Sequence, residues 1–293
     1  MRILISALSF KNFTGSEMST LELAKELVKT GNVVHIYSPN VGQPMLDLAT
    51  KAGIYVTNAM PAYKYDILHL QHKPVAEQVL QAHPNTPAVM HVRSEVIPIY
   101  EVPVIHPNVM KYIAVRDSIA AYISSYGILN EDIAVIDNPF DTDRFNTNYE
   151  FSGNTRERIL FVGTMDYLRK DMLFDIARLC KNTHRDLWLV GQEGVYLKDL
   201  KKVCMLTHFG VRQDVESFYK IVDYTVGIFK GRTTIEGWLC DVPAWIYTVD
   251  LRGKVKTKKL LRPPEDMDKY SATHSALKVM ELYKSIKVKN SEA

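Results

Sequence analysis

Two Rossmann-like α/β units in tandem are predicted from three features of this sequence. Apolar runs alternate throughout with segments whose apolar positions recur at helical spacing, a pattern that favours parallel sheets covered by helices. A polar stretch from Asn146 to Arg158, rich in Asn, Thr, Ser and Glu, interrupts the alternation, which then restarts. The 293 residues can form two cores, because single domains usually hold about 100–200 residues. The predicted division is 1–150 and 151–293, with the polar stretch as linker and hinge.

The elements follow in order. Arg2 to Phe10 reads as a buried strand, and Ser19 to Thr30 as a helix, because Leu21, Leu23, Ala24, Leu27 and Val28 fall on one helical face. Asn32–Tyr37, Asp66–Leu70, Ala88–His91 and Lys111–Val115 read as further strands, and an amphipathic helix lies near Ser118–Tyr126. In the second half Ile159–Val162, Leu187–Val190, Tyr224–Phe229 and Ala244–Tyr247 are predicted strands. Met172–Cys180, Val215–Val222 and Thr234–Leu239 are predicted helices. Ser271–Ile286 closes the chain as a helix with apolar Ala276, Leu277, Val279, Met280, Leu282 and Tyr283. Open parallel sheets bind ligands at the carboxyl ends of their strands, so two such domains are expected to face each other across a cleft.

Composition narrows the function classes. Hydrophobic residues make up 46% and charged ones 24%, which fits neither a disordered nor a membrane-embedded chain. The formal charge is +3, from 36 basic and 33 acidic side chains, so no strong overall field for nucleic acid is expected, although a local basic patch is compatible. Cys180, Cys204 and Cys240 are too scattered for a disulfide framework or a metal site and read as reduced thiols of a cytoplasmic protein. The apolar start, Met1–Phe10, ends at Lys11 without a small-residue cleavage site and reads as a first strand, not a signal peptide. No apolar run approaches the ~20 residues of a membrane helix.

Three segments carry candidate chemistry. Ser9–Ser16 joins the first strand to the first helix and contains Gly15; helix-start amides attract anions, but with one glycine an ordinary turn fits equally well. Ile159–Asp171 runs from a buried strand through Gly163 and Thr164 to the adjacent cations Arg169 and Lys170, ahead of a helix. A diphosphate leaving group needs positive groups that act more strongly as its charge builds. An Arg-Lys pair is equally at home on a solvated surface. In Phe229–Pro243, the run Gly231, Arg232, Thr233, Thr234 can present amides and hydroxyls to a phosphate at a helix N-terminus. Glu236 either serves the helix dipole or accepts two neighbouring sugar hydroxyls.

The order and spacing of these segments resemble the family-4 retaining glycosyltransferases of the GT-B fold. Val190-Gly191-Gln-Glu-Gly194 looks like their strand-end glycine loop, and Phe209–Val215 like the segment before their donor-site helix. Tyr112–Ser118 and Val135–Phe145 look like the pair that closes their first domain. The likeness runs from Met1 to about Tyr247 and rests on the collinear set. It implies an acceptor-side domain over 1–150 and a nucleotide-sugar domain over 151–293 whose terminal helix returns toward the first. It further implies that Glu236 holds the donor ribose, that Gly163 and Lys170 handle the diphosphate, that Gly191 belongs to the same loop set, and that Gly15 lies near the donor phosphates. His91 matches a histidine beside the reacting sugar. Where the family usually has arginine after the strand-end glycine this chain has Thr164, and Arg169 is the expected substitute. The family's first glutamate, eight residues before Glu236, is replaced by Ile228, which leaves the identity of the sugar open.

No metal and no cofactor are expected beyond a nucleotide-sugar substrate, with UDP-sugar as the donor. Asp141-Thr-Asp143 and Asp266-Met-Asp268 spell an Asp-X-Asp pattern, and His69 and His72 lie three apart, but none has a clustered third ligand. The resemblance implies transfer with retention, in which the protein positions the reactants and stabilises the departing diphosphate. The acceptor is either a surface glycan or glycolipid, or a hydroxymethylated base in DNA, flipped from the duplex, as for a virus-type enzyme in its host's cytoplasm. Arg252–Arg262 holds six cations in eleven residues, a strip that suits either anionic lipid or nucleic-acid phosphate. Two rival readings stand beside transfer: a nucleotide-sugar epimerase on the same fold, and a non-catalytic nucleotide-binding protein, which Ile228 favours.

Overall fold

The structure is a computed structural model that describes residues 1–95, 98–148 and 155–291. The chain divides into two units, Met1–Phe140 with Asp268–Ala293, and Asp141–Met267.

Unit 1 carries β1 (Arg2–Ser6), β2 (Val33–Tyr37), β3 (Tyr55–Thr57), β4 (Ile67–Gln71), β5 (Ala88–Val92), β6 (Val109–Ala114) and β7 (Ile133–Val135). They form one parallel sheet in the order 3-2-1-4-5-6-7. Its helices are α1 (Gly15–Lys29), α2 (Met45–Lys51), α3 (Lys73–Ala82), α4 (Pro98–Glu101) and α5 (Asp117–Ser124). The central strands β4 and β5 are buried along their whole length, as expected where helices cover both faces of a parallel sheet. Strands leave β1 in one direction and β4 in the other, so the β1–β4 boundary is the topological switch point of this unit.

Unit 2 repeats the plan with β8 (Arg158–Val162), β9 (Asp186–Val190), β10 (Leu206–His208), β11 (Tyr224–Ile228), β12 (Ala244–Val249) and β13 (Val255–Leu261), in the order 10-9-8-11-12-13. Its helices are α6 (Tyr167–Thr183), α7 (Leu197–Val203), α8 (Val215–Tyr219) and α9 (Arg232–Leu239). The switch point here is the β8–β11 boundary. The sheet is parallel except at its edge, where β13 runs antiparallel to β12. The basic strip, read from sequence only as a charge run, is therefore a turn followed by an edge strand. Lysines on an edge strand also discourage pairing with another chain.

The final helix α10 (Ala272–Ser291) belongs to unit 1. Ala276, Val279, Tyr283 and Ile286 lie on one helical face and are buried in the same core as Ile3, Leu21 and Ile67. The predicted boundary at 150/151 thus differs from the observed division in two ways. Residues 141–148 go with unit 2, because Phe145 is 1% exposed and packs on Tyr219, and Arg144 pairs with Glu216 at 2.6 Å. The chain after Met267 returns to unit 1, the direction expected of the terminal helix, although the predicted division counts it with the second domain. The predicted linker, 146–158, lies in part outside the described residues, and its last residue, Arg158, already opens β8.

Helix starts differ from the expected ones for local reasons. α1 begins at Gly15, before Ser19, because Glu17 takes the backbone N–H of Thr14 at 3.3 Å and its hydroxyl at 2.7 Å, a capping arrangement. α6 begins at Tyr167, before Met172, because Asp166 caps it by accepting from the Arg169 amide at 3.2 Å. Arg169 and Lys170 consequently sit in the first turn of a helix and not in the loop ahead of it. No helix among the described residues is long and apolar enough to cross a membrane.

Candidate active site

In unit 2 the sequence-predicted glycines meet at the carboxyl ends of the strands. Gly163 follows β8 with φ +147°, and Gly191 follows β9 with φ +135°. A Cβ on Gly191 would lie 2.0 Å from the Gly163 carbonyl oxygen, so only glycine permits this approach. The Gly191 amide donates to Gly210 O at 2.8 Å, and the Gly163 amide donates to Val190 O at 2.9 Å. The loops after β8, β9 and β10 are thereby held edge to edge.

On the other side of the switch point, β11 leads through Phe229 to Gly231, the N-cap of α9. Gly237 lets α9 lie against β11, since a Cβ there would sit 2.9 Å from Thr225 Cγ2. Arg232 and Thr233 open the helix. Thr234 does not present itself to a ligand as predicted: it is 2% exposed, its amide donates to Gly231 O at 3.1 Å and its hydroxyl to Phe229 O at 3.4 Å. Thr233, in contrast, is partly exposed.

Glu236 is buried and oriented from two sides. Arg232 Nε donates to Oε1 at 2.7 Å and the Tyr219 hydroxyl donates to Oε2 at 3.1 Å. A carboxylate oxygen can accept two bonds, so each oxygen retains one site, and the pair is aimed as a unit. Burial beside this carboxylate pushes the Tyr219 phenol well above its usual range, which keeps it a donor. Ile228, at the position of the expected glutamate, is partly buried against the unit 2 core. Lys230, considered for that space, lies over the Trp238 ring at 5.9 Å.

The two cations of α6 differ. The Arg169 guanidinium is ion-paired with Asp166, so it is not the free cation the sequence led us to expect. Lys170 is exposed and makes no ion pair with a described residue, and Thr164, in the loop ahead of the helix, is exposed as well. A cavity of about 570 Å³ lies at the opposite ends of the strands. It is lined by Glu157, Asp223, Pro243, Leu260 and Arg262 among others, and contains none of the predicted site residues. On the β13 edge Lys258 is spent internally, with Nζ 2.9 Å from Asp175 and 5.0 Å from the Trp245 ring. Arg252, Lys254, Lys256, Lys259 and Arg262 are exposed.

In unit 1 the Ser9–Ser16 loop is closed on itself. The Glu17 carboxylate accepts the Ser9 hydroxyl at 2.7 Å and the amides of Lys11, Asn12 and Thr14 at 3.0, 3.2 and 3.3 Å. Gly15 is the first helical residue, but the anion position beside it is filled by the chain's own carboxylate. The loop therefore does not offer the phosphate cradle that was expected. Asp141, the first residue of unit 2, likewise serves a turn, accepting from the amides of Asp143 and Arg144 at 3.2 and 3.1 Å.

His91, at the end of β5, is 2% exposed. Its Nδ1 lies 3.0 Å from His69 Nε2, whose Nδ1 lies 2.7 Å from the Tyr283 hydroxyl. His72 follows β4 and accepts the Leu8 amide at Nδ1 (3.3 Å), while its Nε2 lies 3.6 Å from the buried Glu101. Glu101 also accepts the Arg93 amide at 3.0 Å. Sequence reasoning missed Glu17, Arg93, Glu101, Tyr219 and Tyr283. A Thr14-x-x-Glu17 capping signal could have revealed the first, and none marks the others.

Burial, reinforced by Arg93, lowers His69 to about 3 and His72 to about 4 and holds His91 well below the ordinary 6.5. Above pH 6.5 these rings are neutral in both folded and unfolded chains. As pH falls below 6.5 the unfolded chain takes up protons that the folded unit refuses. Each histidine then removes about 1.4 kcal/mol of stability per pH unit, until its own folded value is reached. Glu101, raised by burial, opposes this with one proton at most. Urea unfolding of unit 1 is expected at a clearly lower midpoint at pH 5 than at pH 7; an unchanged midpoint would show that the rings are not held neutral.

Two Rossmann-like units, each with its switch-point loops at the carboxyl ends of the strands, define the GT-B fold. No protein-family model matches the chain, and no curated protein sequence matches it. Solved structures do. A glycosyltransferase from Rickettsia africae is 17% identical, with a TM-score of 0.71 over 97% of this chain and 98% of that one. Anabaena HepE, solved in complex with UDP-glucose, is 15% identical, with a TM-score of 0.67 over 100% of both chains. AviGT4, a glycosyltransferase involved in avilamycin A biosynthesis, is 12% identical, with a TM-score of 0.65 over 97% of both. At these identities the likeness is one of fold.

Proposed function

We infer that this chain is a retaining, metal-independent glycosyltransferase that moves a sugar from a nucleotide-sugar, with UDP-sugar the first candidate, to an acceptor hydroxyl. One observation carries the reading. The glycine loop after β8 and the helix start after β11 flank the topological switch point of unit 2, where open α/β sheets bind nucleotides. Their side chains fit the parts of such a donor: Glu236 for the ribose hydroxyls, Gly163, Gly191, Gly231 and Thr233 for close backbone approach, and Lys170 for the diphosphate. Arg169, held by Asp166, contributes as a positioned neighbour.

In the reaction the bond from the anomeric carbon to the phosphate oxygen breaks, and the acceptor oxygen bonds to that carbon on the same face. The acceptor proton passes to the departing diphosphate. The protein lowers the barrier by holding the reactants in register and by meeting the growing negative charge. The acceptor is a hydroxyl of a glycan or glycolipid, or of a hydroxymethylated base in DNA, and the exposed cations of the β13 edge would meet anionic lipid headgroups in the first case and nucleic-acid phosphates in the second. DNA affinity that falls steeply with salt selects the second, and salt-independent or absent binding the first.

A donor panel with and without acceptor tests the reading. Transfer or slow donor hydrolysis supports it. Conversion of donor with no acceptor to an epimeric sugar supports an epimerase instead, and binding without turnover a non-catalytic protein. Glu236→Gln keeps the side-chain shape while removing the charge that orients Arg232 and accepts the ribose. It is expected to weaken nucleotide-sugar binding about tenfold, the worth of one charged hydrogen bond, as read by calorimetry; unchanged affinity would remove Glu236 from the donor site.

A further inference from the structure

The turn between β12 and β13 is firmly built, yet it carries a side chain that its own unit leaves uncovered. Asp250 organises the turn: its Oδ1 accepts the amides of Arg252 and Lys254 at 2.8 and 3.0 Å, and its own amide donates to Lys254 O at 3.0 Å. Gly253, at φ +79°, seats the turn on the start of α6, where a Cβ would lie 2.7 Å from Tyr167 O and 3.0 Å from Leu168 Cα. Leu251 at the tip is nonetheless 79% exposed, and Tyr167, the first residue of α6, is 66% exposed. All of these residues belong to unit 2.

Cations follow from that tip along the sheet edge. Arg252 and Lys254 stand in the turn, and Lys256, Lys259 and Arg262 continue along β13 and past its end; all are exposed, and none makes an ion pair with a described residue. Leu260, among them, is 43% exposed. A seven-residue strand spans roughly 20 Å, so the charges are spread along an edge and not gathered in a pocket. Guarding the edge against strand pairing accounts for the lysines of β13. It does not account for Arg252 in the turn, or for Leu251 and Leu260 left in water beside the charges. Nucleic-acid phosphates would answer the cations but give Leu251 nothing apolar to enter. An anionic membrane surface answers both, because its headgroups attract basic side chains and its interfacial layer takes aromatic rings at headgroup level and apolar side chains beneath.

We propose that unit 2 docks on an anionic membrane surface through the β12–β13 turn and the β13 edge, with Leu251 and Tyr167 entering the interface and the exposed cations meeting lipid phosphates. Tyr167 opens the helix whose first turn carries Lys170, so docking holds that end of α6 at the bilayer. On the reading that Lys170 meets the donor diphosphate, on which this consequence rests, the acceptor is a hydroxyl borne by a lipid and not one in DNA.

Co-sedimentation of the full-length protein with vesicles of phosphatidylcholine and phosphatidylglycerol in equal parts tests the docking. Binding is expected that weakens as salt is raised, with none to phosphatidylcholine alone. Each cation near such a surface changes partitioning about fivefold. Arg252→Gln, Lys254→Gln and Lys256→Gln combined should therefore lower binding about 100-fold. Leu251→Ser should lower it about tenfold through lost apolar contact. Both variants change exposed positions and should melt as wild type does. Absent binding to the mixed vesicles, equal binding to phosphatidylcholine alone, or a Leu251→Ser variant that binds like wild type overturns the proposal. So does duplex DNA retained at a salt concentration that releases the vesicles, which would give the strip to nucleic acid. The thermal shift with nucleotide-sugar, measured without vesicles, reads the donor site separately. A shift without vesicle binding overturns the docking alone. Vesicle binding with no shift by any donor keeps the docking and removes the glycosyltransferase reading, and the lipid acceptor with it.

Discussion

Lys170→Ala is expected to lower turnover about 100-fold, the usual effect of deleting one preorganised donor to developing negative charge. The side chain stands in the first turn of α6, directly after the β8 strand end, with its ammonium exposed and unpaired to any described residue. Its charge adds to the positive end of the helix dipole. Because its ammonium is exposed and makes no ion pair with a described residue, the variant should melt within about 0.5 kcal/mol of wild type, and the loss can be assigned to chemistry. If the interaction strengthens only in the transition state, kcat and kcat/KM fall together. Lys170→Arg keeps the charge but not the compact ammonium, and should recover part of the loss. Turnover within about threefold of wild type would take Lys170 out of the mechanism.

Gly191→Ala should destabilise unit 2 by about 4 kcal/mol, at the upper end of single-substitution effects. Two penalties combine. The residue holds φ at +135°, a conformation that side-chain-bearing residues rarely adopt. The new Cβ would also sit 2.0 Å from Gly163 O and 2.7 Å from Gly163 C, so one strand-end loop must move away from the other. A melting temperature lower by about 10 °C follows, and with it a loss of donor binding, because the displaced loop carries Gly163. Gly210→Ala is the matched control. Its φ is +69° with nothing within 4 Å of the added Cβ, so only the backbone penalty of about 1–2 kcal/mol applies. Equal stability of the Gly191 variant and wild type would mean that the two loops do not approach as described.

The strands that cross the middle of each sheet were legible because they are buried on both faces and read as continuous apolar runs. β11 falls within its predicted segment, and β4, β5 and β8 each extend one residue beyond theirs. The short edge strands β3, β7 and β10 have three residues each, too few to display a period. β13 was hidden for another reason: its sequence, Val-Lys-Thr-Lys-Lys-Leu-Leu, carries the lysines of an edge strand, and these look like any solvated charge run. Helix cores were visible through Leu21, Leu27, Met172 and Ile176, whereas their first turns were not. Those turns are set by single capping carboxylates, Glu17 and Asp166, rather than by periodicity.

The candidate donor loops were legible from glycine and cation spacing, because backbone approach constrains sequence locally. What the sequence did not reveal is how the carboxylates and rings are already engaged. Glu236 is held by Tyr219, seventeen residues earlier, and His69 by Tyr283, 214 residues later. Pairings of that kind depend on the packed fold and leave no mark on spacing. The closed Gly15 loop differs, because the Thr14-x-x-Glu17 spacing does mark the carboxylate that occupies the position a phosphate was expected to take.

The central claim is that the β8 and β11 loops of unit 2 form a seat for the diphosphate of a nucleotide-sugar. A thermal-shift series with UDP-, GDP-, ADP- and CDP-sugars addresses it most directly, since a ligand at one hundred times its Kd stabilises the folded state by about 2.7 kcal/mol. At least one of the four, UDP-sugar first, should raise the melting temperature of wild type, with a smaller rise in Lys170→Ala and Glu236→Gln. A flat response to every donor at millimolar concentration, or a rise of equal size in all three proteins, would contradict the account.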